Sequence, residues 1–385
     1  MTEDATGLVP ERLAHLKSVI EDDIERRRYW GAVITVARGG KIGLHAAIGS
    51  ADAAGAKPLA GDSVFSIFSV TKAFTNVIVL KAIEDGRFAL TTKISEIIPE
   101  FSGGHRQHIT FFHLLTHTSG LPMLWSPRPG MNLDIFDDIV AATIAEVHSM
   151  EPPGERVAYS PMMNHVLMGE ALRRTDPKRR SYRDMMNEDL LQPLGMHSTA
   201  VGVRRDLKER HVIPDFRNNY AATHHSSGNL GVNGAFEEEL AEMPWVGIVS
   251  TVPDMFRLAE MLRHEGTLDG KRILSPAILR LARRNWTGDK PNELYRGLFY
   301  KRHWTPGPAY MGLGFAVRGT AVAHHLFGTL TSPETFGNYG AGTALFWVDP
   351  AADLTFVCLT AGLMESTENI ERFQRLSDIA VSACV

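Results

Sequence analysis

The stretch FSIFSVTKAFT, residues 65–75, decides the fold, and it leads into a segment that is almost continuously apolar from Ser69 to Asp85. Gly86 follows, a residue type favoured just after a helix, so the pattern predicts a buried helix. Because residues i and i+3 share one helix face, the Ser69 hydroxyl is expected beside the Lys72 amine. A hydroxyl beside a base is the minimum nucleophile pair, and burial would lower the pKa of Lys72 as a general base requires.

Taken alone, the spacing S-x-x-K is a weak signal, because about one such match is expected by chance in a chain of this length. A serine at the start of a helix is also often only a cap. The rest of the chain therefore has to decide between a structural and a catalytic role for Ser69.

Periodicity outward from this segment predicts helices and strands on both sides of it. The N-terminal part is predicted to form a surface helix over 10–28 and a hairpin of two strands over 32–37 and 42–48. The C-terminal part is predicted to form strands over 312–317, 343–348 and 354–359 and a closing helix over 365–383. Strands at both ends with helices between them predict an α+β fold with an antiparallel sheet flanked by helices. We expect an α/β body of residues 1–90 and 240–385 and a mainly helical insertion domain of residues 91–239.

The composition is that of a soluble globular chain: 385 residues, 44% hydrophobic and 22% charged, with a net charge of −4. Its basic residues form no face for nucleic acid, and no apolar run approaches the length of a membrane span. The N-terminus lacks the pattern of a secretory signal, and Cys358 and Cys384 have no local partner, which suits a reducing compartment. We expect a cytoplasmic protein that acts on a small molecule, with the oligomeric state left open.

The segment 65–75 closely resembles the nucleophile motif of the serine β-lactamase-like family, which includes class C β-lactamases, D-Ala-D-Ala peptidases and related esterases and transesterases. Four further strings resemble that family in the expected order: ITFFHLLTHTSGL (109–121), LQPLGMHST (191–199), IVSTVPDMFRLAEML (248–262) and FWVDP (346–350). The resemblance spans about residues 15–380. It implies a β-lactamase/transpeptidase-like fold with the site in the cleft between its two parts, and no cofactor.

The family's second motif is a tyrosine followed two residues later by an asparagine, and the resemblance makes Tyr159 the group that shares protons with Lys72 and Ser69. Pro161 stands at the asparagine's position. Proline has no side-chain amide, so it cannot make that residue's hydrogen bonds to the lysine and to an amide substrate. Asn164 is a candidate replacement. The departure disfavours lactam and peptide substrates more than esters.

The third family motif is matched best by Asn338, Tyr339 and Gly340, where Asn338 departs from the usual Lys, His or Trp. A lysine there would bind a substrate carboxylate, so its absence again disfavours penicillin-like substrates. The resemblance makes the backbone N–H groups of Ser69 and Ala341 the oxyanion donors. A Gly-rich turn without a role is the alternative.

Aromatic residues in segments near the motifs, 122–150, 205–245 and 285–310, are expected to lie in loops that set substrate choice. Trp125, Trp245 and Phe236 are the candidate substrate contacts among them, with ordinary packing as the alternative.

Other chemistries have weaker support in the sequence. The pairs His224-His225 and His324-His325 lack metal-ligand spacing, and Gly61-Asp62-Ser63-Val64 lacks the late histidine motif of the G-D-S-L lipases. The leading prediction is therefore a serine carboxylesterase that acts through an acyl-enzyme on Ser69. An acyltransferase is the first alternative, a β-lactamase or D-Ala-D-Ala peptidase the second, and a non-catalytic binding protein of the same fold the third.

Overall fold

The two ends of the chain meet in one antiparallel sheet. The computed structural model describes residues 6–216 and 234–385, and within them the main sheet has six strands. They are β1 (Gly31–Arg38), β2 (Lys41–Gly49), β9 (Ala316–Val317), β10 (Phe336–Gly340), β11 (Ala344–Asp349) and β12 (Leu354–Ala361), and their order in the sheet is β2-β1-β12-β11-β10-β9. Strand β1 pairs with β12 along its whole length, from Gly31 opposite Ala361 to Arg38 opposite Leu354.

The first hairpin turn depends on two glycines. Gly39 and Gly40 have φ of 57° and 74°, the left-handed conformation that the favoured two-residue hairpin turns require. The chain therefore reverses tightly between β1 and β2, as the sequence predicts.

Alternating residues of the central strands pack on opposite faces of this sheet. Val33 and Val357 belong to the core on one face, whereas Ile34 and Cys358 belong to the core on the other. Both faces are covered by helices, which explains why these strands are apolar almost continuously rather than at every second residue.

The described helices cover the sheet and form most of the central part of the chain. They are α1 (Pro10–Glu25), α2 (Thr71–Glu84), α3 (Ile94–Ile97), α4 (Phe111–Leu115), α5 (Phe136–Glu146), α6 (Met163–Thr175), α7 (Tyr182–Met186), α8 (Val252–Arg263), α9 (Pro276–Ala282), α10 (Glu293–Lys301) and α11 (Ser366–Val381). Short 3-10 turns lie at Phe68–Val70, Gly104–His108, Arg205–Arg210 and Gly234–Glu237, and one π-helical turn at Asn187–Leu191. Among the described residues, no helix is long and apolar enough to cross a bilayer.

Two smaller sheets complete the description. One contains β3 (Val64–Ser66), β4 (Ala200–Val201), β5 (His211–Val212) and β6 (Ile248–Ser250), and the other is the pair β7 (Thr267–Leu268) and β8 (Lys271–Arg272). In the first of them, β4 and β5 lie within the expected insertion and pair with β6 and β3 of the expected body. The division into two domains stays a prediction.

The α+β class and the antiparallel sheet flanked by helices are confirmed. Two local expectations need correction. The strand expected over 312–317 is limited to Ala316–Val317, and the expected loops at 122–150 and 285–310 contain helices α5 and α10. Helix α10 is amphipathic and places its residues 294, 295 and 298 toward a cleft, so this part of the cleft wall is a helix face rather than a loop.

A side chain at Gly314 would collide with a buried asparagine. Its φ is +84°, and an added Cβ would lie 2.6 Å from the Cβ of Asn76, whose amide donates to the Gly314 carbonyl at 2.7 Å. Gly86 has a similar φ of +71°, but a Cβ there would meet nothing within 4 Å. An alanine at either glycine would therefore pay the cost of the left-handed backbone conformation. Only at Gly314 would it also collide with Asn76.

We expect Gly86→Ala to lower the free energy of unfolding by about 1 kcal/mol, the cost of the left-handed conformation alone. Gly314→Ala should lower it by at least about 3 kcal/mol, because Asn76 must also move and lose its hydrogen bond. Urea unfolding of both variants measures the difference. Equal losses in the two variants would contradict this packing.

Candidate active site

Ser69 lies on a strained turn at the start of the buried helix. The turn Phe68–Val70 precedes α2 directly, and Phe68 has a φ of 47°, uncommon for a residue with a side chain. The ring of Phe68 packs edge-on against Phe216 and Phe236, which fixes the turn from behind. The Ser69 side chain therefore faces the cleft from a rigid support.

Lys72 is buried with its amine against Ser69. Its exposure is 1%, and Nζ lies 3.0 Å from the Ser69 Oγ and 2.9 Å from the carbonyl oxygen of Trp245. Burial lowers the pKa of Lys72 well below its ordinary value of 10.5. Because burial disfavours the ammonium, the amine is suited to take the proton of the Ser69 hydroxyl.

The carbonyl of Trp245 is held beside Lys72 by the first turns of α2. The Thr75 hydroxyl donates to the carbonyl of Pro244 at 2.6 Å, and the backbone N–H of Ile248 donates to the Thr71 hydroxyl at 3.0 Å. These two bonds lie on either side of Trp245. The acceptor of the lysine is thus a backbone group fixed by two threonines of the same helix.

Tyr159 reaches the same cleft from the other side and is positioned by His117. Its ring stacks on the His117 ring with 4.8 Å between centroids, and Lys72 Nζ lies 5.2 Å from the centre of the Tyr159 ring. His117 also binds the backbone on both sides of the tyrosine: its carbonyl accepts from the Ala158 N–H at 2.9 Å, and its Nδ1 accepts from the Ser160 N–H at 3.0 Å. Burial and the nearby Lys72 lower the pKa of His117 to about 3, so the ring stays neutral and Nδ1 remains an acceptor.

Asn164 does not take the place of the amide missing at Pro161. Its Oδ1 accepts from the Ser119 hydroxyl at 2.9 Å, and its Nδ2 donates to the carbonyl of Leu114 at 2.9 Å. Both ends of the amide are occupied away from Lys72. The second partner of the lysine is instead the Trp245 carbonyl.

Strand β10 comes into direct contact with the nucleophile turn at Gly340. A Cβ at this position would collide with the carbonyl oxygen of Ile67, two residues before Ser69. The absence of a side chain lets the strand end approach the turn, and Ala341 and Ser69 consequently line one cleft. The arrangement brings together the two residues whose backbone N–H groups are the expected oxyanion donors.

A buried arginine holds the turn that follows β10. The Arg372 guanidinium donates to the Gly342 carbonyl at 3.1 Å and to the Thr360 hydroxyl at 3.2 Å, and it also bonds the side-chain oxygen of Asn369. The guanidinium stacks over Tyr29 at 4.7 Å from the ring centre. Arg372 is therefore a positioning residue for the turn that carries Ala341.

The cleft above Ser69 is an open, largely apolar cavity of about 590 Å³. It is lined by Ser69, Trp125, Tyr159, Leu294, Tyr295, Leu298, Leu326, Tyr339, Gly340, Ala341, Gly342, Ser366, Asn369 and Ile370. Trp125, Tyr339 and Gly340, three of the predicted substrate contacts, thus line this cleft. The Asn338 amide is turned to the Gly314 carbonyl at 3.3 Å.

Two of the expected substrate contacts are corrected by the structure. The side chain of Trp245 is 2% exposed within the core, and only its backbone carbonyl takes part in the site. Phe236 is buried against Phe68 behind the nucleophile turn. Neither ring lines the cleft, because each fills the core that supports it.

In the described residues, no group of three or more histidine, cysteine, aspartate or glutamate side chains could hold a metal ion. His324 stacks on Trp304, and His325 accepts from the Phe327 N–H. His224 and His225 lie outside the described residues.

Comparison with known proteins identifies the family. The family model described as Beta-lactamase matches residues 16–380, nearly the whole chain. This chain belongs to the Beta-lactamase family.

The similarity to individual members of the Beta-lactamase family is distant. Protein Rv1367c of Mycobacterium tuberculosis is 28% identical over 370 residues, covering 86% of this chain and 85% of that protein. Esterase EstB of Burkholderia gladioli is 38% identical over 112 residues, which cover 28% of this chain and 29% of the esterase.

Two solved structures share the fold over nearly their whole length. A penicillin-binding protein homologue from Caulobacter crescentus has a TM-score of 0.77 at 22% identity, covering 99% of this chain and 100% of its own. EstCE1, described as a hydrolase with promiscuous acyltransferase activity, also has a TM-score of 0.77 at 22% identity, covering 97% of this chain and 99% of its own. The expected β-lactamase-like fold is confirmed.

Three residues that position the site were not predicted from the sequence. The Trp245 carbonyl has no side-chain signature, so nothing in the sequence marks it. Arg372 looks like one of many charged residues on an amphipathic helix, until its burial is seen. His117 could have been found, because it lies in the HLLTHTSGL string that resembles the family.

Gly340→Ala tests whether the approach of β10 to the nucleophile turn matters. The new methyl group would push the strand end away from Ile67 and separate the N–H groups of Ser69 and Ala341. We expect labelling of Ser69 by a fluorophosphonate probe to slow by about 100-fold, the usual effect of losing one oxyanion donor.

Intact-mass measurement of the labelled fraction over time gives this rate. Gly86→Ala, a glycine substitution away from the cleft, is the control and should label like the wild type. Unchanged labelling in Gly340→Ala would mean that the contact with Ile67 does not organise the site.

Proposed function

We propose that this member of the Beta-lactamase family is a carboxylesterase that forms an acyl-enzyme on Ser69. The observation that carries the proposal has two halves: the buried Lys72 amine lies between the Ser69 hydroxyl and a backbone carbonyl, and the family motifs lack the amide at position 161 and the cation at position 338. The first half of that observation supports a serine nucleophile. The second half supports an ester as the substrate.

The proposed reaction uses these groups in turn. Lys72 takes the proton of the Ser69 hydroxyl as Oγ attacks the ester carbonyl, and the N–H groups of Ser69 and Ala341 bind the oxyanion. The carbon–oxygen bond to the alcohol then breaks. Tyr159 donates its proton to the leaving alkoxide, and Lys72 replaces that proton with the one it took from Ser69. Water repeats the sequence on the acyl-enzyme and releases the acid.

Esters fit this site better than amides for two reasons. An amide leaving group has an N–H that needs an acceptor and a poor leaving tendency, and Pro161 supplies no side-chain amide to receive it. A penicillin-like substrate also carries a carboxylate, and Asn338 has no charge to bind it. An ester makes neither demand.

The relatives support the same class of reaction. The esterase EstB shares 38% identity over 112 residues, and EstCE1 has the same fold and is described as a hydrolase with promiscuous acyltransferase activity. Transfer of the acyl group to an alcohol is therefore the second candidate, since it differs from hydrolysis only in what attacks the acyl-enzyme. A cytoplasmic location stays a prediction of the sequence.

We expect the wild-type protein to hydrolyse p-nitrophenyl acetate and Ser69→Ala to lose at least about 1000-fold in kcat/KM, because the nucleophile is removed. Brief incubation of the wild type should leave one acyl group on the protein by intact mass. Ser63→Ala, a buried serine outside the cleft, is the matched control and should retain activity.

The corresponding anilide and nitrocefin separate the remaining functions. Both should be cleaved much more slowly than the ester, and added alcohol should divert part of the acyl group if transfer competes with water. Faster turnover of nitrocefin would favour a β-lactamase, whereas equal background rates in wild type and Ser69→Ala, with no adduct, would favour a binding protein.

A further inference from the structure

A second chamber lies directly beyond the wall of the cleft. It has about 590 Å³ of space outside protein atoms, part of it open to solvent, and it shares four wall residues with the cleft: Tyr295, Leu326, Tyr339 and Ile370. Its far side is formed by the Gly307–Tyr310 segment and by small residues of the 316–323 stretch. Only about 40 Å³ of this space is wide enough for a water-sized molecule as the walls stand, so a longer group can enter only when the wall toward the cleft moves.

Two tyrosines separate the chamber from the cleft. Tyr295 comes from α10 and Tyr339 from β10, their ring centroids are 6.2 Å apart, and a side-chain hydrogen bond joins them. Burial raises the pKa of Tyr339 to about 12, so the phenol stays protonated and can keep this bond. Because tyrosine side chains can change rotamer without a change in the backbone, we expect the partition to open by movement of these two rings.

Two polar side chains of the chamber wall are satisfied by the protein itself, whereas the buried Nδ1 of His324, also in the wall, has no hydrogen-bond partner among the described residues. Arg318 donates to the carbonyls of Gly328 and Ala321 at 2.7 and 2.6 Å, and the Asn292 side chain accepts from the Leu294 N–H at 3.1 Å. Four alanines, a proline and Phe299 supply much of the remaining surface. An uncharged, apolar group fits such a lining better than a charged one.

The position of the chamber relative to Tyr159 decides which part of an ester it can take. The leaving alcohol must lie near the proton donor, and Tyr159 lines the cleft but not the chamber. The chamber adjoins the Tyr339–Gly342 side, where the carbonyl oxygen of the bound ester would lie. The acyl chain is the part of the substrate that can extend from there past Tyr339.

We propose that the chamber behind Tyr295 and Tyr339 is the acyl-chain subsite and that the preferred substrates are esters of medium-length or aromatic carboxylic acids. The inference rests on the proposed esterase function. Since each buried methylene is worth about a fourfold change in binding, the chamber should favour octanoate over acetate esters.

The direct test fills the chamber from the side opposite the cleft. Ala309 lines the chamber but not the cleft, so Ala309→Phe places a ring inside the chamber. Val322→Phe adds the same ring at an exposed position of the neighbouring loop. We expect Ala309→Phe to lower the octanoate-to-acetate ratio of kcat/KM for p-nitrophenyl esters at least about 10-fold. Val322→Phe should keep the wild-type ratio.

Tyr295→Ala gives the opposite change and keeps the test valid if Ala309→Phe fails to fold. Opening the partition should raise the octanoate-to-acetate ratio severalfold. A second series varies the alcohol and keeps the acyl group constant: acetate esters of phenol, 1-naphthol and longer alcohols. We expect Ala309→Phe to leave the relative rates within this series unchanged.

The outcomes distinguish this inference from the function on which it rests. Wild-type protein that hydrolyses no ester would overturn the esterase proposal itself. Ester hydrolysis with the same octanoate-to-acetate ratio in wild type, Ala309→Phe and Tyr295→Ala would overturn the subsite alone. A change confined to the alcohol series would assign the chamber to the leaving group and overturn its acyl assignment.

Discussion

The Lys72 amine is enclosed by protein on all sides, and the rest of the site is arranged around that constraint. A buried ammonium without a counter-charge is costly, so burial drives the amine toward its neutral, basic form. Within the described residues its hydrogen bonds go to uncharged groups, the Ser69 hydroxyl and the Trp245 carbonyl at 3.0 and 2.9 Å. The same burial that makes Lys72 a base therefore also directs it to the hydroxyl that it would activate.

Distant parts of the chain are needed to hold this pair and to surround it. Thr71 and Thr75 fix the segment that carries the Trp245 carbonyl, and His117 holds Tyr159 by stacking and by two backbone hydrogen bonds. On the opposite side, Arg372 bonds the turn after β10, which Gly340 allows to touch the nucleophile turn. The pairing of β1 with β12 brings the two ends of the chain together and forms the platform on which these parts meet.

The strong periodic patterns in the sequence predicted the helices and strands of the body, and the motif strings predicted the placement of Ser69, Lys72 and Tyr159 at one site. What failed depended on contacts that periodicity does not encode. Trp245 and Phe236 look alike as aromatic residues near the motifs, and only packing decides that both support the site from behind. Asn164 is near Pro161 in sequence, but the helix turn sends its amide to Ser119 and Leu114. The chamber behind Tyr339 required the position of α10, which the sequence indicated only as a loop.

Direct titration of the Lys72 amine by NMR tests the central claim. Protein labelled with 13C and 15N in lysine, with the signal assigned through its loss in Lys72→Met, would report the midpoint from the Cε shift. We expect a midpoint well below 10.5, with the rate of Ser69 labelling rising with pH through the same midpoint, because the deprotonated amine is the base. A Lys72 midpoint near 10.5, as for an exposed lysine, would contradict the account.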